Sequence, residues 1–567
     1  MRSFEEVAAF LRQHEVGRRA YIEAPYGRRL ICYGDLTATG RYLHFVEAWI
    51  RRVRPYYANS HTAISTTGRI MTELREEARR VVRRSVNASK DDLVLFVGSG
   101  ATAAVNKLVG LLGLRVDEPL ERAYGLSRAI PAGERPIVLC GPYEHHSNEL
   151  PWLESVADVV ETALDATGRP CLEDLAKKLV EYKDRPLRLG AFSAASNVTG
   201  VLSDVRGIAR TLHAHGAYAF FDYAAAGPYA PIDMNPADPL ERADAIFLST
   251  HKFLGGPEGS GVLAARRELV RTRVPERPGG GTVDYVGGSS HAAVDYTKNL
   301  EEREEGGTPD ILGDLRAGIG FLVKEMVGPE RILEHERALA ARAIARLRQH
   351  PRIRLLGPLD VPRLAILSFN VEGLHHDFVS GLLDHLFGIQ NRAGCSCAGP
   401  YGHRLLGIGT DRSELYRAQI ARGVLGIKPG WVRLTLPYYA SAADLEYVLS
   451  ALEFVADHGE AFLEEYELSW RDGVWRNTEH APRDARPIEL TVEALEEAAA
   501  CFAAGDHEQP MSEAQIAAER ARYFAEARAH VARLEASAVG RPAKAPPPST
   551  LPGVDELVWF RYRHARA

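Results

Sequence analysis

Five short apolar runs punctuate the first half of this chain, and each stops at a small or polar residue. DDLVLFV (91–97) stops at Gly98, PIVLC (136–140) at Gly141, LRLGAFSAAS (187–196) at Asn197, AYAFFD (217–222) at Asp222 and AIFLST (245–250) at His251. Helical spacing fills the gaps, as at 101–112, 173–182 and 204–215. Short apolar strands alternating with helices predict an α/β fold, a mostly parallel sheet sandwiched by helices. Ligands of such sheets sit beyond the carboxyl ends of the strands, so the residues after each run are the ones to read.

Other segments follow different patterns. Residues 1–35 read as a polar helix and a short strand, RRLICYGD, packing on a smaller domain. Residues 71–86 have helical spacing. The large domain is expected over 36–314 and a smaller α+β domain over 315–457. The smaller one should hold a helix (315–348), a strand (363–371), a Gly-rich loop (395–402) and the strand WVRLTLP (431–437). Residues 458–567 read as a helical extension, with a helix at 512–537 and a Pro-rich linker at 540–553. Trp559, Phe560 and Tyr562 favour anchoring of this tail, on its own chain or on a partner.

Charge narrows the function classes. The chain of 567 residues carries 69 Lys and Arg against 75 Asp and Glu, a net charge of −6, which argues against nucleic-acid binding. Six cysteines are too few for a disulfide scaffold and suit a reducing compartment. The first residues lack an apolar signal core, and no run of about 18 apolar residues predicts a membrane span. A soluble cytoplasmic protein is the expectation.

The strand-end residues carry the chemistry. Gly98-Ser99-Gly100-Ala101-Thr102 opens a helix, where backbone N–H groups and small side chains suit an anion. His145 and His146 follow the second strand, and adjacent histidines point apart, which disfavours a shared metal. Asp222 ends an apolar strand and needs a cationic partner there. Lys252 follows another strand; in a buried setting it becomes a Schiff-base lysine. A phosphate cradle, a ring-facing His, an Asp and a Lys together are the needs of pyridoxal phosphate.

With those residues in view, the sequence resembles the class V aminotransferase family of fold-type I pyridoxal-phosphate enzymes, in particular its cysteine desulfurase and selenocysteine lyase branch. The resemblance runs from Asp35-Leu36-Thr37-Ala38-Thr39-Gly40 to Arg433. It includes Glu144-His145-His146-Ser147-Asn148, Ser196-Asn197, Asp222-Tyr223-Ala224 and Ser249-Thr250-His251-Lys252. Further on lie Gly279-Gly280-Gly281-Thr282 and Arg392-Ala393-Gly394-Cys395-Ser396-Cys397. It implies a seven-stranded-type sheet and a homodimer with shared active sites. Lys252 would bind the cofactor, Asp222 would pair with its ring nitrogen, His145 would stack on the ring and Asn197 would approach its phenolic oxygen. Gly100, Ala101, Thr102, Ser249 and His251 would hold the phosphate, with Thr282 arriving from the second subunit. Arg433 would clamp the substrate carboxylate beside Arg392. Ala225 departs from the family, which often has Gln there, and Ala101 stands where a second hydroxyl often helps the phosphate.

The motif Arg-x-Gly-x-x-Cys of desulfurases falls on Arg392, Gly394 and Cys397. The resemblance therefore implies release of alanine from L-cysteine with a persulfide on Cys397, and possible transfer to a sulfur-acceptor protein. The alternative is another class V aminotransferase or a C–S lyase on a different amino acid. A zinc site from Cys395, Cys397 and His403 is disfavoured, because Cys-x-Cys lacks the usual two-residue gap. No metal is expected.

Overall fold

The computed structural model describes residues 3–60, 62, 64–288, 293–479, 491–495, 511–538 and 553–566. Cys501 and, Gly553 apart, the Pro-rich stretch 540–553 lie outside them.

All five apolar runs form strands of one seven-stranded sheet. In chain order the strands are β1 Asp92–Val97, β2 Ile137–Cys140, β3 Asp158–Glu161, β4 Arg188–Ser193, β5 Tyr218–Asp222, β6 Ala245–Ser249 and β7 Gly261–Arg266. Their spatial order is β1-β7-β6-β5-β4-β2-β3. The strands from β3 to β6 are parallel to their neighbours, and β7 runs antiparallel between β6 and β1. Alternate residues serve opposite faces: Val94 and Phe96 enter one core, Leu93 and Leu95 the other. Both faces are covered, so each strand reads as a continuous apolar run. β3 and β7 escape the sequence reading for different reasons. β3 is an edge strand with acids at both ends, and β7 breaks the strand–helix alternation.

A second core surrounds a four-stranded antiparallel sheet. Its strands are β8 Ile353–Leu355, β9 Ile366–Val371, β10 Arg392–Gly394 and β11 Trp431–Thr435, in the order β8-β9-β11-β10. The helix expected at 315–348 is two helices, Ile311–Val327 and Pro329–Leu347. Gly328 takes φ 97° between them, and Pro329 starts the second. The Gly-rich loop is shorter than expected, because a helix begins at Gly399 and runs to Leu406. RRLICYGD contains parts of two short strands; the second, Cys32–Tyr33, pairs in parallel with Ile389–Gln390.

The helix Glu513–Ala538 packs on this second core through Tyr523, Ala527 and Val531. Asp444 sits between Arg18 and Arg520, at 2.9 and 2.8 Å. The Tyr523 hydroxyl accepts the Leu30 N–H (3.0 Å), and Phe560 joins the same core. No described helix is long and apolar enough to cross a membrane.

Candidate active site

The carboxyl ends of the parallel strands converge on a cavity of about 230 Å³. Ala101, Thr102, His145, Asn197, Asp222, Ser249, His251, Lys252, Arg392, Cys397 and Arg433 all line it. These come from five loops of the large sheet and from the second core, so the site forms only when the two cores meet. Gly100 lies behind it with φ 59°, so close that a Cβ would stand 2.6 Å from the Ser249 hydroxyl. Ala101 N–H donates to that hydroxyl at 2.9 Å. Ser99 gives the helix Gly100–Leu111 no side-chain cap, and the Gly100 N–H bonds the Gly98 carbonyl at 2.9 Å, so the helix dipole and the surrounding hydroxyls are what favour an anion at this N-terminus. The Thr102 and Ser147 hydroxyls stand 2.6 Å apart at the same mouth.

Burial sets the charges. Asp222 is buried, one oxygen accepting the Ala224 N–H at 2.7 Å, and it makes no ion pair among the described residues. Desolvation pushes its carboxyl up. Lys252 stands at the cavity wall, also without an ion pair among the described residues, and desolvation lowers it to about 8. Asp222 opposes that fall and Arg433 adds to it. His145 caps its helix, its Nδ1 accepting the Ser147 N–H at 3.1 Å. That leaves a proton for Nε2. Burial, aided by the positive Lys252, lowers His145 to about 3, so the ring is neutral. His251 falls to about 4 for the same two reasons.

Asp35 organises the two arginines. Its Oδ1 lies 3.0 Å from Arg433 Nη2 and its Oδ2 lies 3.0 Å from Arg392 Nε. Arg433 Nη1 donates to the Asn197 carbonyl at 3.2 Å. Asn197 in turn gives its side-chain N–H to the Ser396 carbonyl at 2.8 Å, an arrangement that family resemblance did not suggest. Cys397 is exposed and lies in a tight turn closed by Ala398 N–H on the Cys395 carbonyl (3.2 Å). Cys395 packs with Tyr143, Val198 and Trp431 outside the cavity.

Thr282 does not reach its own chain's cavity; its hydroxyl donates to the Gly279 carbonyl at 2.7 Å. Ala225 lines the cavity where a longer amide is common in the family. Cys395, Cys397 and His403 do not converge. Among the described residues the one convergence of three potential ligand atoms is His375, His376 and Asp377, which includes none of these. His375 Nδ1 there caps a helix by accepting the Asp377 N–H (3.2 Å). Sequence reasoning singled out neither Asp35 nor Ser193, whose hydroxyl and N–H both bind the buried Glu144 carboxyl at 2.6 and 2.8 Å. Tertiary packing alone brings Ser193 to the cavity wall and Asp35 to the two arginines, although Asp35 begins the stretch that carries the resemblance.

The donor set fits pyridoxal phosphate. A weakly basic amine, a buried carboxyl without an ion pair among the described residues and a neutral imidazole surround the cavity, with hydroxyls and a helix N-terminus at one end.

The aminotransferase class-V family model matches residues 32–448. The chain belongs to this family. A probable cysteine desulfurase of Halalkalibacterium halodurans is 31% identical over 392 residues, 68% of this chain and 88% of that one. One from Streptomyces coelicolor is 28% identical over 395 residues, 69% of this chain and 88% of its own. The solved cysteine desulfurase of Thermococcus onnurineus superposes with TM-score 0.60 at 26% identity, covering 75% of this chain and 95% of its own. A cysteine desulfurase of Escherichia coli shares the fold, with TM-score 0.61 at 22% identity over 80% of this chain and 98% of its own. The family match ends before the helix Glu513–Ala538, which is therefore an addition beyond the matched region.

Proposed function

We propose that this chain is a pyridoxal-phosphate-dependent cysteine desulfurase that converts L-cysteine to alanine and leaves a persulfide on Cys397. One observation carries the reading: an exposed cysteine in a tight turn lines the same small cavity as Lys252 and Asp222.

Each residue has a task in that reading. Arg392 and Arg433 bind the substrate carboxylate, oriented by Asp35. Lys252 holds the cofactor and then carries protons, removing one from Cα and returning protons to carbon. Asp222 would hold the cofactor's ring nitrogen protonated, and His145 would stack on its ring. Thr102, Ser249 and His251, with Gly100 and Ala101 at the helix N-terminus, would hold the phosphate. Bound pyridoxal phosphate supplies an electron sink for the pair left at Cα. The Cys397 thiolate attacks the substrate's sulfur. The new Sγ–S bond forms as the Cβ–S bond breaks, and that bond's electron pair stays on carbon, where a proton completes the methyl of alanine. L-cysteine and one thiol thus become alanine and one persulfide. A thiol reductant or a sulfur-acceptor protein then takes the sulfur. We further place the enzyme in the cytoplasm as a homodimer, with Thr282 of each subunit completing the other's phosphate site.

The test is release of alanine and sulfide from L-cysteine by the cofactor-loaded protein with a thiol reductant, beside Cys397→Ser. Alanine from the wild type and none from the variant is the expected result. No alanine from either would move the assignment to another class V reaction, and a screen of amino and keto acids would follow.

A further inference from the structure

We infer that His146, which does not line the cavity, is the residue that holds Cys397 in position to attack. The inference takes its activity readout from the desulfurase reading, while its geometry stands apart from it.

Ser396 and Cys397 both occupy the left-handed region, at φ 50° and 56°. Asn87 and Glu258 are the remaining non-glycine residues with positive φ among those described, so the strain is concentrated at this turn. Such backbone persists only where surrounding contacts over-determine it. Beyond the turn's own bond from Ala398 N–H to the Cys395 carbonyl, contacts come from two other residues. Asn197 binds the Ser396 carbonyl at 2.8 Å. His146 adds two more: its N–H donates to the Cys397 carbonyl at 2.9 Å, and its ring Nε2 accepts the Gly399 N–H at 3.3 Å. One residue therefore grips the chain at Cys397 through its backbone and two residues later through its ring.

The ring bond requires a neutral imidazole with its lone pair on Nε2. His145, next in sequence, faces the cavity, whereas His146 faces the thiol's loop. The ring centroids of the pair lie 6.4 Å apart, so the two histidines divide the work. An exposed thiol on an untethered loop would sample many positions. Holding it lowers the entropy cost of reaching the substrate's sulfur, a gain that appears in kcat rather than in substrate binding. His146 is thus a positioning residue, acting through Cys397.

The test uses the cofactor-loaded full chain with His146→Leu, which removes the ring acceptor, and His146→Gln, whose amide oxygen can accept the same N–H. His146→Leu should lower kcat for alanine formation about tenfold and leave KM within about twofold. The cofactor's absorbance should not change, and His146→Gln should recover most of the rate. Without substrate, iodoacetamide should label Cys397 several-fold faster in His146→Leu, read by mass spectrometry. An unchanged kcat, a loss that glutamine does not repair, or a changed cofactor spectrum overturns the inference. If the wild type makes no alanine, the desulfurase reading fails on its own and the labelling rates decide: equal rates in wild type and His146→Leu overturn the clamp.

Discussion

Asp35 and Arg433 form a buried ion pair, with Oδ1 3.0 Å from Nη2. Burial lowers the arginine's pKa and Asp35 counters that. The second Asp35 oxygen reaches Arg392, so one carboxylate spaces both guanidinium groups at the cavity edge.

Asp35→Asn keeps the volume and removes the charge. It leaves Arg433 buried without its counter-ion, a change that costs about 3–5 kcal/mol when a buried pair loses one partner. Urea unfolding should show a loss of that order, and KM for L-cysteine should rise as the two arginines repel each other. An unchanged unfolding midpoint would sink the pairing argument.

Lys252 should capture the cofactor's aldehyde through its neutral amine. Desolvation lowers it to about 8 from 10.5. The capture rate by cofactor-free protein should therefore rise with pH and level off above about 8. Stopped-flow absorbance from about pH 6 to about pH 10, roughly two units either side of the lowered value of about 8, measures this. A rate still climbing toward the pKa of an ordinary lysine would show that the amine is not desolvated.

Glu336 offers a pH test of stability far from the cavity. It is fully buried; Oε2 accepts the Ala365 N–H at 2.8 Å and Oε1 has no hydrogen-bond partner among the described residues. Burial raises it from 4.5 to about 8. The folded state then binds a proton that the unfolded state has released, so the group's contribution is full below pH 4.5 and is lost as pH rises to about 8. Glu336→Gln should flatten that part of the stability profile, worth roughly 3–5 kcal/mol across the window. Parallel wild-type and variant curves from pH 5 to pH 9, about the span of the shift, would refute it.

Asp444 ties the C-terminal helix to the rest. Its carboxylate lies between Arg18 and Arg520, which hold its pKa well below the usual range against the cost of burial. Its stabilisation is present above the unfolded value of 3.8 and is lost as pH falls below it. Asp444→Asn should lower stability by about 3 kcal/mol. Hydrogen exchange should localise the loosening to Glu513–Ala538. Uniform exchange in that helix would mean its packing through Tyr523 and Val531 suffices.

Much of this architecture was legible without coordinates. Five apolar runs located five strands of the sheet, because strands buried on both faces must be apolar throughout. The same runs directed attention to Thr102, His145, Asn197, Asp222, Ser249 and Lys252, all of which line one cavity. Two strands stayed hidden, one short and acidic at an edge, the other antiparallel and out of rhythm. A glycine with positive φ split what periodicity reads as one helix, since the apolar spacing continues across it.

The sequence by itself determined which groups lie at strand ends, because hydrophobic periodicity and chain order are local properties. Only the tertiary structure decided what those groups touch. Asp35 and Arg433 are 398 positions apart, Asn197 and Ser396 199 apart, and Leu30 and Tyr523 493 apart. A charge's partner depends on which surfaces are buried together, and burial is a property of the whole fold. For that reason Asn197 turns its N–H toward the Cys397 loop, and a C-terminal helix beyond the family match becomes part of the second core.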